Sequence, residues 1–190
     1  MNYDYIAFCD GSSVKKGDFI FNGGAATVLL ENETKQVYQK GKSLPDRSNN
    51  YAELYAVLLT FEMVKKIHKG KGVPNILIIS DSKYVVDIFS SWVYSWSKGK
   101  DQDEPWERKT GKLSNEKIIK HIFYEYIANG KFNVTFVHMN SHKKFTEKDI
   151  NEMKRKTEKQ GFTVSKDTIK VFIKYNSMAD KLAYKYSSSA

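Results

Sequence analysis

Two apolar runs in this chain end on an acid: IAFCDGSS at Asp10 and NILIISDS at Asp81. Two further acids sit among apolar neighbours, Glu53 in NNYAEL and Asp180 in NSMAD. Taken singly, each also reads as a helix cap, a turn former or a surface charge, since Asp-Gly is a common turn dipeptide. Taken together they point to different chemistry. Four carboxylates held close repel and raise one another's pKa, and a divalent cation is the natural way to satisfy them. Ligands that are oxygen only favour magnesium or manganese over zinc.

A sheet must bring such acids together. YIAFCD, GGAATVLLE and TKQVYQKGKSL are apolar runs bounded by Gly, Asn, Asp or charged residues, which predicts an antiparallel meander. From Asn49 to about His68 the spacing of Leu54, Leu58 and Phe61 predicts a helix, capped by Asn49 or Asn50 and followed by Gly70 and Gly72. VPNILIISDS is a continuous aliphatic run, as in a central strand buried on both faces. KYVVDIFSSWVYSW is helical by spacing, SKGKDQDEPWERKTGK reads as a solvated loop, and LSNEKIIKHIFYEYIANG as a helix with a Ser114 cap. KFNVTFVHMN alternates as a strand with Phe132, Val134, Phe136 and His138 on one face, and NSMADKLAYKYS predicts a short amphipathic helix entered from Asn176. The pattern gives an α/β fold with a five-stranded mixed sheet: strands 1 to 3 an antiparallel meander, strands 4 and 5 parallel, helices on both faces. If strands 1 and 4 are parallel neighbours, joined by a right-handed crossover, Asp10 and Asp81 face each other across one strand spacing.

The totals narrow the function classes. At 190 residues the chain is read as one domain. Apolar residues make up 41% and charged residues 28%, which is ordinary for a folded globular protein. The net charge of +9 attracts polyanions, nucleic acid first and an acidic membrane surface second. Cys9 is the single cysteine, so there is no disulfide partner and no thiolate metal site. No apolar run reaches membrane-spanning length, and no basic segment followed by a long apolar one opens the chain, so an intracellular protein with no membrane partner is expected.

The segments CDGSS, NNYAELYAVLLTFE, IISDSKYVVDIFSSWVYSW, FVHMNSH and NSMADKLA follow the order and approximate spacing of the ribonuclease H type 1 family, which the chain resembles from Asp10 to about Ala183. The resemblance implies the ribonuclease H-like fold and an endonuclease that cuts the RNA strand of an RNA–DNA hybrid, leaving 5′-phosphate and 3′-hydroxyl ends. It implies that Asp10, Glu53, Asp81 and Asp180 bind two Mg2+ ions, with Mn2+ a possible substitute, and that His142 assists proton transfer or product release. Two ions about 3.5 to 4 Å apart suit in-line attack of water on a phosphate. A catalytically silent hybrid-binding module, or a transposase, integrase or resolvase of the same fold, are the alternatives.

The same resemblance marks substrate contacts. Gly11, Ser12, Asn49 and Asn50 would meet the hybrid, the two amides reading 2′-hydroxyls across the shallow minor groove as both donors and acceptors. Arg47 and Ser48 would hold a DNA phosphate, although Asp46 stands where the human-type pattern has its arginine. Trp92, Trp96, Lys98 and Lys100 resemble the family's basic protrusion, diluted here by the acids at 101–104, and Lys83 stands where many relatives carry Gln. No hybrid-binding domain is expected ahead of Asp10, and a monomer is expected. A lysine-rich insertion at about 143–175 separates His142 from Asp180. TEKDINEMKRKTEKQG within it has helical composition, while DTIKVFIKY reads as a strand or an ordered arm. The insertion is either a solvated surface feature or an added grip on the hybrid.

Overall fold

The computed structural model describes residues 3–18, 21–70, 72–99, 106, 113–140 and 146–189. The meander forms as predicted: β1 (Tyr5–Lys15) pairs antiparallel with β2 (Phe21–Glu31), and β2 with β3 (Val37–Pro45). β4 (Asn75–Ser80) runs parallel to β1, and β5 (Asn133–His138) parallel to β4, giving the order β3-β2-β1-β4-β5.

Asp10 does not end its strand, contrary to the sequence reading. β1 has two partners that stop at different places. Its ladder with β4 finishes at Cys9↔Ser80, while its ladder with β2 continues through Asp10↔Ala26 to Lys15↔Phe21. Asp10 therefore lies inside one ladder and just past the end of the other, where β1 and the chain leaving β4 diverge.

Alternation along the strands divides the core in two. Tyr5, Ala7 and Cys9 face one way with Ala25, Leu29, Ile76 and Ile78, against α1 (Asn49–Ile67) and its Leu54, Val57 and Phe61. Ile6 and Phe8 face the other way with Val28, Leu77 and Ile79. Because both faces are covered, Ile76 to Ile79 are all buried, which accounts for the unbroken aliphatic run.

The cap of α1 lies before the predicted Asn49 or Asn50: Ser48 is extended and its hydroxyl accepts a bond from the Tyr51 N–H, while Asn49 and Asn50 are already helical. After β4 the chain forms α2 (Lys83–Asp87), a π-helical turn (Ile88–Trp92) and α3 (Val93–Trp96). α4 (Glu116–Ile122) runs into a second π-helical turn (Phe123–Ile127). Its N-cap is Asn115, in the left-handed region at φ 62°, and not Ser114; asparagine tolerates that conformation better than serine.

The largest departure is at the end of the chain. α5 (Glu147–Lys159) forms where helical composition predicts it, followed by Gly161 at φ +87°. DTIKVFIKY, however, is neither strand nor arm. It is the first half of α6 (Lys166–Ser188), one helix of 23 residues capped by Ser165 that carries straight through Asn176. Ile169, Phe172, Ile173, Asn176, Ala179 and Ala183 recur at three- and four-residue spacing and are buried together, and this periodicity outweighs the β-branched composition. With Ile150 and Met153 of α5 they close the second core. Gly24 lets α6 lie on β2, because a Cβ there would sit 2.2 Å from the Ala183 carbonyl oxygen.

Candidate active site

Three of the four predicted acids meet. Carboxylate oxygens of Asp10, Glu53 and Asp81 all lie within 4.8 Å of one another. β1 supplies Asp10, the turn after β4 supplies Asp81, and the second turn of α1 supplies Glu53. Gly11 makes the approach of α1 possible, since a Cβ on it would lie 2.3 Å from the Glu53 backbone nitrogen. Asp180, on α6, stands outside this trio but close enough for its charge to act on Asp10.

Asp10 and Glu53 are each 5% exposed, whereas Asp81 is half-buried. Burial, then the charges of Asp81 and Asp180, push the Asp10 carboxyl up to about 8. Burial, then the charges of Asp10 and Asp81, hold Glu53 well above the usual carboxylate range. The Gly11 backbone N–H opposes both shifts, and the Asn49 side chain also bonds to Glu53. Even so, Glu53 Oε2 is buried without a hydrogen-bond partner. A buried, orphaned carboxylate oxygen among mutually repelling acids is costly in a protein alone. A divalent cation would satisfy it, and a trio with neither thiolate nor imidazole suits a hard, oxygen-preferring ion. The residues present therefore fit magnesium or manganese. Cys9, next to Asp10, takes no part: it is fully buried with its thiol pushed up to about 12, chiefly by burial, and lies 3.0 Å from the Thr60 hydroxyl.

The predicted substrate contacts are spread more widely. Gly11 is packed under α1, and Ser12 Oγ accepts a bond from Ser187 Oγ at 3.2 Å, which ties it to the end of α6. Arg47 lies over the Tyr51 ring at 4.6 Å, beside the cap Ser48, and Asn49 and Asn50 are exposed on the first turn of α1. Lys83 pairs with Asp87 at 2.5 Å. Trp92 is 39% exposed and tilted against the half-buried Trp96 at 5.7 Å, with Lys98 exposed beyond them. His142, Lys100 and the acids at 101–104 lie outside the described residues.

Sequence reasoning missed two polar residues beside the acids. His138, read only as a strand residue, donates from Nε2 to the Asp81 backbone oxygen at 3.0 Å. Its signal was positional: FVHMN ends β5 beside the end of β4. Asn176 lies one helical turn before Asp180, buried, with Oδ1 unpartnered. Together with Asp180, Met139 and Met153 it lines a small cavity between β5, α5 and α6.

The RNase H family model matches residues 2–188. The chain is 30% identical over 108 residues to Ribonuclease H of Neorickettsia sennetsu, covering 57% of this chain and 62% of that protein. It is 30% identical over 133 residues to Ribonuclease H of Rhodopirellula baltica, covering 67% of this chain and 75% of that protein. The matched segment spans 62%, 50% and 41% of the length of three such relatives, about half on the whole. In solved structures, the RNase H domain of prototype foamy virus superposes with a TM-score of 0.68 at 23% identity, covering 98% of this chain and 96% of that domain.

Proposed function

The chain belongs to the RNase H family, and we propose that it hydrolyses the RNA strand of RNA–DNA hybrids. The observation that carries this reading is the meeting of Asp10, Glu53 and Asp81 with one carboxylate oxygen buried and unpaired, inside a chain that the family model matches over residues 2–188. Asp10, Glu53, Asp81 and Asp180 would hold two magnesium ions, or manganese in their place. When bound, such ions supply Lewis-acid stabilisation of the phosphate and a more acidic water.

The protein's own groups bind and orient the duplex around that centre. Asn49 and Asn50, exposed at the entry of α1, offer amide donors and acceptors to the 2′-hydroxyls of the RNA strand. Arg47 and Ser48, beside them, meet a phosphate of the DNA strand. Trp92 gives the DNA backbone an aromatic surface, Trp96 supports it, and Lys98 and Lys100 add charge. The reaction is attack of water at phosphorus with breakage of the bond to the 3′-oxygen, which takes up a proton. One fragment keeps a 5′-phosphate and the other a 3′-hydroxyl. His142 is the residue assigned to proton traffic at this step. No helix among the described residues is long and apolar enough to cross a membrane.

The test is cleavage of one sequence presented as RNA–DNA hybrid, double-stranded RNA and double-stranded DNA, with and without magnesium. Magnesium-dependent cutting of the hybrid RNA strand alone supports the proposal. Equal or greater cutting of duplex DNA contradicts it and favours a relative of the transposase or resolvase kind.

A further inference from the structure

β5 is the last strand of the sheet, so among the described residues its outer edge has no strand beside it. On the inner side, the Met139 N–H donates to the Ser80 carbonyl at 2.9 Å, which leaves the backbone groups of His138 pointing outward. A single side chain meets both of them. Gln160 Oε1 accepts from the His138 N–H at 3.0 Å, and Gln160 Nε2 donates to the His138 carbonyl at 3.0 Å. One amide thus reproduces the paired bonds of a neighbouring strand, and does so at one residue only.

Gln160 is itself held. It ends α5, where its Nε2 reaches the Lys156 carbonyl at 3.2 Å and its backbone N–H the Thr157 carbonyl at 3.0 Å. α5 in turn is seated in the second core through Ile150 and Met153. The chain of contacts continues inward, because the His138 imidazole donates from Nε2 to the Asp81 backbone oxygen at 3.0 Å. On its other side the Asp81 turn is tied down by the Ser82 N–H, which donates to Ser80 Oγ at 3.1 Å. Asp81 is one of the three acids that converge, and it is the only one of them outside a helix or strand.

We infer that Gln160 and His138 form a clamp that sets the Asp81 peptide, and with it the direction of the Asp81 carboxylate. His138 is then a positioning residue, and α5 of the insertion acts on the acidic site from the far side of β5. This inference rests on the reading of that site given above. A displacement of about 1 Å at a reacting centre can cost on the order of 100-fold in rate, so a turn with no regular structure of its own gains from being held on both sides. The clamp uses His138 as a donor only. A glutamine can place an N–H at similar reach, whereas phenylalanine keeps the ring and loses the bond.

The experiment uses the full chain with three substitutions, His138→Phe, His138→Gln and Gln160→Ala. Magnesium binding is measured by calorimetry with the metal alone, and kcat and KM are measured on the hybrid. Partners that orient a metal ligand from outside typically contribute 10- to 100-fold in affinity or activity. His138→Phe is expected to weaken magnesium binding by about tenfold or more and to lower kcat with KM for the hybrid unchanged. His138→Gln recovers most of both losses. Gln160→Ala, an exposed change that leaves the imidazole in place, shows a smaller loss in the same two quantities. Wild-type magnesium affinity and kcat in His138→Phe would overturn the inference, as would a His138→Gln variant no better than His138→Phe. The calorimetry does not depend on which nucleic acid is cut. If the wild-type chain fails to cleave the hybrid, the functional reading falls while magnesium affinity still decides the clamp.

Discussion

Gly11 and Glu53 touch backbone to backbone: a Cβ placed on the glycine would lie 2.3 Å from the Glu53 nitrogen and 2.6 Å from the Ala52 carbonyl carbon. No flexible side chain can move aside there, so the absence of a side chain at position 11 sets how closely the acid of α1 approaches the acid of β1.

Gly11→Ala should therefore push α1 off the sheet. Overpacking costs about 1 to 3 kcal/mol in general, and a backbone clash belongs at the upper end. For a chain of this size that corresponds to a fall in Tm of roughly 10 °C. Thermal unfolding followed by circular dichroism checks it, and hybrid cleavage by the folded variant should drop with the displacement of Glu53. A Tm within a degree or two of wild type would mean that α1 is not seated as described.

The acids should make the metal-free protein sensitive to pH. Asp10 has its folded pKa raised to about 8, and Glu53 is raised as well. A raised carboxyl binds more protons in the folded state than in the unfolded one over the window between its two pKa values. Stability is then fully present below about pH 4 for these groups and is lost as pH climbs toward 8. Melting in EDTA should fall from pH 5 to pH 8, and saturating magnesium at pH 8 should restore it. At a hundred times its Kd, a ligand adds about 2.7 kcal/mol to the folded state. Rising apo stability across the same window would contradict the account of the site.

The described lysines of the insertion divide into two groups. Lys154, Lys156, Lys166 and Lys170 are paired with Glu158, Glu152, Glu147 and Asp167. Lys148, Lys159 and Lys174 are exposed and enter none of these pairs. If the insertion grips the hybrid, these three are among the groups that carry the grip. Changing all three to Gln should raise KM and reduce the slope of log affinity against log salt, by about 0.9 for each phosphate no longer neutralised. An unaltered slope and KM would leave α5 and α6 as core-forming and positioning elements only.

His142→Ala should slow cleavage less than loss of an acid does, because a proton-transfer group contributes on the order of 10² to 10⁴ and solvent buffer replaces part of it. Small amines or imidazole added to the assay should recover some of the rate. Complete loss without rescue would give His142 a different role.

Much of this architecture is legible in the sequence because its signals are local. Asp81 follows an aliphatic run that has to be buried on both faces, and Glu53 lies one turn into a helix marked by Leu54, Leu58 and Phe61. Asp10 stands out for the right reason but at the wrong place, since a sequence run cannot show that β1 loses one partner at Cys9 and keeps the other to Lys15. DTIKVFIKY misleads because its β-branched residues speak for a strand over a short window, while the helical spacing of Ile169, Phe172, Ile173 and Asn176 shows only when α6 is read as a whole. The contact between Gln160 and His138 is out of reach. It joins residues 22 positions apart through the packing of α5 against an edge strand, and no local pattern encodes it.

We propose that the acids at 10, 53 and 81 form a metal-dependent centre that cuts the RNA of a hybrid. It is tested most directly by Asp10→Asn, with single-turnover cleavage and hybrid affinity measured on the same preparation in magnesium. The amide keeps the size of the side chain and removes the charge a divalent ion needs, while the proposed groove contacts on α1 and α3 are untouched. The predicted result is cleavage reduced well beyond the 10- to 100-fold typical of changes outside the ligand set, with affinity for the hybrid retained. Cleavage near the wild-type rate in that variant would contradict the account.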